Sequence, residues 1–228
     1  MDYLGIPNKG ETPRLYKNNK DGTFSNVTDE TNMNHPLLTM GSNFGDINND
    51  GFLDIYLGTG DPDYRSIQPN RMFINSSGET FDDVTFHGRF GHLQKGHGVS
   101  FADIDGDGDQ DVHAVMGGAY EGSVFQNTLY ENPGNWENNW IGISLHGLKA
   151  NSLAIGARIT ILLENGNSIF RTVSSGGSFG ANPFKQMIGI GKNNKISKIN
   201  IYWPVSGKNQ DYYNLETNRW HYIIESSS

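Results

Sequence analysis

A chain of 228 residues with 35% apolar and 11% aromatic side chains can build one large domain or two small ones, and its 29 glycines favour a turn-rich, all-β architecture. No apolar run approaches the roughly 18 residues of a membrane helix, so a helical membrane span is excluded, and the absence of cysteine excludes disulfides, thiolate metal sites and cysteine nucleophiles. The net charge of −8 is unevenly divided: residues 139–228 hold nine Lys/Arg and four Asp/Glu, whereas residues 1–138 hold eight and 21, which marks two units with different tasks.

In chain order, the first feature is a repeat. Shifted by 57 residues, Asn18 falls on Asn75, Phe24 on Phe81, Phe44 on Phe101, Asp46 on Asp103 and Asp54 on Asp111, with no gap. Gly22 and Gly78 sit in tight turns ahead of Phe24 and Phe81. The stretch from Leu53 to Leu57 alternates, with Leu53, Ile55 and Leu57 on one side, which predicts a half-buried strand. Val99 and Phe101 alternate likewise. A third copy begins at Asn127, where Leu129-Tyr130-Glu131-Asn132 matches Leu15-Tyr16-Lys17-Asn18, and dissolves at Pro133-Gly134. About 57 residues suits one four-stranded propeller blade. From Asn139 the repeat is gone. Ile141, Ile143 and Leu145 alternate, as do Ile159, Ile161 and Leu163; Asn165-Gly166 predicts a hairpin, and Ile199, Ile201 and Trp203 form a last run stopped by Pro204. Residues 139–228 read as a separate, small β-sandwich or open barrel.

Eight of the 21 acids of residues 1–138 lie in two nine-residue segments, 46–54 and 103–111. In the first, Asp46, Asn48, Asp50 and Asp54 occupy positions 1, 3, 5 and 9; in the second, Asp103, Asp105, Asp107 and Asp111 do. Glycine stands at position 6 in both, where a positive φ tightens the curl. Hard cations such as Ca²⁺ take six to eight oxygens, and the carbonyl at position 7, of Phe52 or Asp109, adds one. Position 12 is Leu57 or Ala114 rather than Glu, and the flanks read as strands, so these are not EF-hands. The plainer reading is that Asp, Asn and Gly simply favour turns. Against it, carboxylates gathered within nine residues repel one another without a cation. At positions 1, 3, 5 and 9 the second loop carries one more formal charge, Asp105 against Asn48, and is the tighter site.

These loops resemble the D-x-D-x-D-G-x-x-D loops of the FG-GAP/VCBS repeats in integrin α-subunit propellers. Leu15-Tyr16-Lys17-Asn18, Asp21-Gly22-Thr23-Phe24 and Val27-Thr28 are similar to the blade opening of bacterial proteins that end in an ASPIC/UnbV domain. Ala154-Ile155-Gly156-Ala157-Arg158, Ser175-Gly176-Gly177, Ile188-Gly189-Ile190-Gly191 and Trp203-Pro204 resemble elements of that domain, which the cartilage acidic protein family shares. The resemblance implies a calcium-stabilised partial propeller of two to three blades over residues 1–138 and an ASPIC/UnbV-like β domain over residues 139–228. It also implies an extracellular or periplasmic place, and it does not imply a reaction. No basic-then-apolar leader follows Met1, and a propeller closes with four to eight blades. The expectation is therefore a piece of a longer protein, completed by missing blades or by self-association.

Two further constellations offer rivals. His87, His92 and His97 recur every five residues; imidazole suits Zn or Cu, and an enzyme built on a His92/His97 metal site is the alternative function. Asp61-Pro62-Asp63 offers a third cation site or an acidic turn. Ser174 to Gly180 lacks the lysine and helix of a phosphate loop, no hydrolase elbow is present, and the basic residues of 139–228 are scattered, which disfavours nucleic acid. The leading expectation is a non-enzymatic, calcium-binding scaffold or adhesion module for a protein or glycan ligand.

Overall fold

The computed structural model describes residues 12–60, 68–118, 125–134, 137–174 and 176–227. Asp61-Pro62-Asp63 lies outside the described residues. Among those residues there is no helix, and sixteen strands form five sheets, none closed into a barrel. The first sheet is a hairpin of β1 (Tyr16–Asn18) and β2 (Phe24–Asn26). The second is an antiparallel meander of β3 (Thr39–Gly45), β4 (Asp54–Thr59), β5 (Arg71–Ser76) and β6 (Thr80–Asp83). The third joins β7 (Gly96–Ala102), β8 (Asp111–Met116) and β9 (Thr128–Tyr130).

The repeat maps strand onto strand. β7 and β8 are β3 and β4 shifted by one period, and β1–β2 match β5–β6. The three sheets are thus the last two strands of one blade, a whole blade, and three strands of the next. This corrects the expectation that Leu15 to Thr28 opens a blade: that segment is a blade's closing hairpin, and each new blade starts just before an acidic loop. The half-buried reading of Leu53 to Leu57 is also corrected. Leu53 precedes β4, and every residue of β4 is buried. Ile55 and Leu57 pack with Met33, Leu37, Phe73 and Phe81 on one face. Tyr56 packs with Met72, Val99, Phe101 and Val112 on the other. A strand in the middle blade has a neighbour on both sides, so period-2 alternation reports which core each residue joins rather than core against solvent. Each such side chain, fully buried, contributes about 2 kcal/mol.

The rest of the chain supplies β10 (Asn139–His146), β11 (Arg158–Leu163), β12 (Ser168–Thr172), β13 (Gln186–Gly191), β14 (Ile196–Trp203), β15 (Lys208–Tyr212) and β16 (Trp220–Ile224). One sheet runs β13-β10-β16, with β10 and β16 parallel; the other runs β12-β11-β14-β15. Their inner faces close over Ile141, Ile143, Ile159, Ile161, Ile199 and Trp203 in a sandwich with its own core. Asn165-Gly166 makes the expected hairpin, with Gly166 at φ 87° and Leu163 N–H donating to Asn167 O at 2.9 Å. Behind β16, the Glu225 carboxylate accepts the Ser206 hydroxyl and the N–H groups of Leu148, Lys149 and Ala150, which hold it down to about 2.

Candidate metal centres and the domain interface

Both acidic loops are the turns between the first two strands of a blade, and their backbones agree. Position 6 is left-handed in each (Gly51 φ 96°, Gly108 φ 99°), and so is position 4 (Asn49 φ 56°, Gly106 φ 82°). Asn and Gly are the residues that tolerate this conformation, so the curl is written at two positions. The Asp at position 9 closes each loop identically. Asp54 accepts Ile47 N–H and Asn75 N–H at 2.9 Å, and Asp111 accepts Ile104 N–H and Asn132 N–H at 2.9 Å. The amides of Asn75 and Asn132 also donate to the carbonyls of Leu53 and Gln110, at position 8. The asparagine shared by the repeats therefore braces the next strand against its loop.

The two loops differ in what faces the carboxylates. In the second, one oxygen from each of Asp103, Asp105 and Asp107 lies within 4.8 Å of the others, with Asp105 and Asp107 exposed, a spacing that a hard cation could bridge. Burial raises Asp103, with the neighbouring Asp107 and Asp105 adding to the rise and the Lys185 charge opposing it weakly. Burial, then the carboxylates of Asp107, Asp111, Asp105 and Asp103, push Asp109 up to about 7. In the first loop Asn48 turns its amide nitrogen to Asp50 Oδ2 at 3.1 Å. Asp46, 1% exposed, accepts Asp50 N–H and Gly51 N–H at 3.0 Å and faces the Arg171 guanidinium at 3.7 Å. Burial pushes Asp46 and Asp54 up to about 7, against Arg171 for the first and against backbone N–H groups for the second. Phe52, at position 7, is 39% exposed.

Arg171 comes from β12, and it is one of several residues of the sandwich that grip the first loop. Its Nη2 donates to Gly51 O at 3.0 Å. Gly189 N–H donates to Asp46 Oδ2 at 3.2 Å, and Gly191 N–H to Asn49 O at 2.9 Å. A Cβ on Gly189 would lie 2.3 Å from the Asn49 carbonyl carbon, so only glycine admits this approach. Asn182 lies between β3 and β7: it accepts Asn43 Nδ2 and Phe101 N–H at 2.8 Å and donates to Phe44 O at 2.7 Å. Ser178 bridges to Ser42. Composition and spacing did not single out Arg171 or Asn182; the only signal was the glycine-rich segments around them.

Residues 147–228 match the family described as ASPIC and UnbV, and residues 1–57 match the FG-GAP-like repeat. The chain joins FG-GAP-like repeats to an ASPIC and UnbV domain. No curated protein matches it. The ASPIC/UnbV glycines of β13 thus serve a contact: they dock the domain onto an FG-GAP-like loop.

The histidines do not gather. His87 and His92 are exposed on the link after β6, where His92 Nδ1 accepts Gln94 N–H at 3.1 Å. His97 lies on β7 beside Gly117, with its Nδ1 at 3.3 Å from Lys95 O. Among the described residues, Asp103, Asp105 and Asp107 are the one cluster of His, Cys, Asp and Glu with metal-ligand spacing.

Proposed function

We propose that the chain is a non-enzymatic, calcium-stabilised binding module acting outside the cell, extracellular or periplasmic, as FG-GAP-like repeats typically do. The convergence of Asp103, Asp105 and Asp107 carries this reading: three carboxylates gathered on one turn repel one another, a cation among them relieves that repulsion, and an all-oxygen donor set fits Ca²⁺. The ion supplies fixed positive charge; the chain supplies a loop braced at Asp111 by Asn132. The first loop, with Asn48 at position 3 and Arg171 against Asp46, is the weaker calcium site. The partner is a protein or glycan. A cavity of about 380 Å³ at the junction, walled by Phe170, Trp220, Lys185, Asp103 and Gln110, offers it aromatic and polar contacts together.

Calorimetry of the full chain tests the metal's identity. Ca²⁺ should bind at the second loop and resist displacement by equimolar Zn²⁺. Zn²⁺ or Cu²⁺ outcompeting Ca²⁺ there would overturn the assignment.

A further inference from the structure

The third sheet stops one strand short of the blade before it. In the second sheet β6 pairs antiparallel with β5 and places Phe81 in a core with Met33, Ile55 and Phe73. Phe81 N–H also donates to Thr31 O at 3.0 Å. In the third sheet β9, the counterpart of β5, has β8 on one edge and, among the described residues, no strand on the other. One period after Phe81 stands Asn138, whose amide donates instead to Asn48 O in the first acidic loop at 2.8 Å. The chain then enters β10 of the sandwich. One period after Thr31, Met33, Ile55 and Phe73 stand Gly88, Phe90, Val112 and Tyr130, and these four line one cavity of about 560 Å³. The surroundings of Phe81 are repeated in the third blade, and Phe81 itself is not.

We propose that this cavity and the outer edge of β9 accept an extended strand from a partner protein. The strand lies antiparallel to β9, with a large apolar side chain where Phe81 sits in the second sheet. A strand edge offers main-chain hydrogen bonds to such a segment, and a pocket beside the edge selects its side chain. The pocket suits an apolar group, because the Tyr130 hydroxyl is engaged with Phe90 O at 3.2 Å and the charged members of the lining, Arg89 and Glu131, are both exposed. The register adds a charge preference. In the second sheet Phe81 lies opposite Asn75, and Asp82 lies opposite Ile74. One period on, Asn75 and Ile74 become Asn132 and Glu131, and Glu131 has no ion pair among the described residues. A basic residue directly after the apolar one therefore faces Glu131 across the pair, where an acid would be repelled. The binding needs no metal and stands apart from the calcium reading.

Fluorescence anisotropy with the full chain and a labelled peptide of residues 78–86 carrying Asp82→Lys tests the site, at one fixed calcium concentration. The expected result is saturable binding that Phe81→Ser in the peptide weakens roughly tenfold or more, the loss of one buried aromatic ring. The peptide that keeps Asp82 should bind about two- to fivefold more weakly than the Asp82→Lys peptide, and Glu131→Lys in the protein should reverse that order. Glu131 is exposed, so this variant leaves the core untouched. Absence of binding, or binding indifferent to Phe81→Ser, overturns the proposal. An order that Glu131→Lys leaves unchanged overturns the placement along β9. Binding seen only as the peptide breaks up a self-associated form assigns the edge to a second copy of the chain and overturns the partner strand.

Discussion

Arg171 has an 11% exposed side chain and faces Asp46, whose side chain is 1% exposed, across the junction of the two units. Burial lowers the guanidinium's affinity for its proton, and Asp46, Asp50 and Asp54 oppose that fall. The first loop therefore has a positive charge built into the fold, where on the proposed reading the second draws one from solution. Arg171→Met would leave Asp46 buried and uncompensated, and removing one partner of a buried pair costs about 3 kcal/mol or more. Urea unfolding should show that loss in chelator, and a smaller loss in calcium, because an ion in the first loop would take over the role of the lost charge. Equal losses in the two conditions would mean that arginine and cation do not share a task.

At the scale of elements, the contact between β13 and the first loop depends on Gly189. Gly189→Ala would drive a Cβ into the backbone of Asn49. The sandwich keeps its own core around Ile141, Ile159 and Trp203, so the expected result is undocking rather than collapse. Thermal unfolding should separate into two transitions, and amide exchange at residues 46–54 should quicken. A single transition at the wild-type temperature would show that the contact is not stabilising. The strands themselves were legible in the sequence, because alternation at Ile141 to Leu145 and Ile199 to Trp203 reports burial directly. The loops were legible as turns too, since Asp, Asn and Gly at fixed spacing favour them. Blade boundaries were not: a shift of 57 aligns residues without saying where a sheet begins, and Leu15 to Thr28 was placed at the wrong end. Nor was the Arg171–Asp46 pairing, which joins residues 125 positions apart and leaves no local pattern.

For the whole molecule, the β1–β2 sheet has two strands among the described residues, with Tyr16 55% and Phe24 62% exposed. In a full blade those strands would lie beside two more, and among the described residues the sheet leaves apolar surface and an edge uncovered. Sedimentation at rising concentration should show self-association, and Phe24→Ser should weaken it; a monodisperse monomer at high concentration would contradict that expectation. The central claim is that calcium holds the repeats. Extracellular calcium modules bind with Kd of about 10⁻⁴–10⁻³ M. At about ten times Kd one ion adds about 1.4 kcal/mol, which for a chain of this size raises Tm by about 4 °C. The most direct test is a thermal scan of the wild type, Asp107→Ala and Asp50→Ala with and without chelator. The account predicts that chelation lowers the wild-type Tm by several degrees, and that Asp107→Ala loses more of this calcium-dependent gain than Asp50→Ala. The second loop has no Arg171 to replace the ion. A wild-type Tm unmoved by chelation would contradict the account, and the loops would be turns rather than sites.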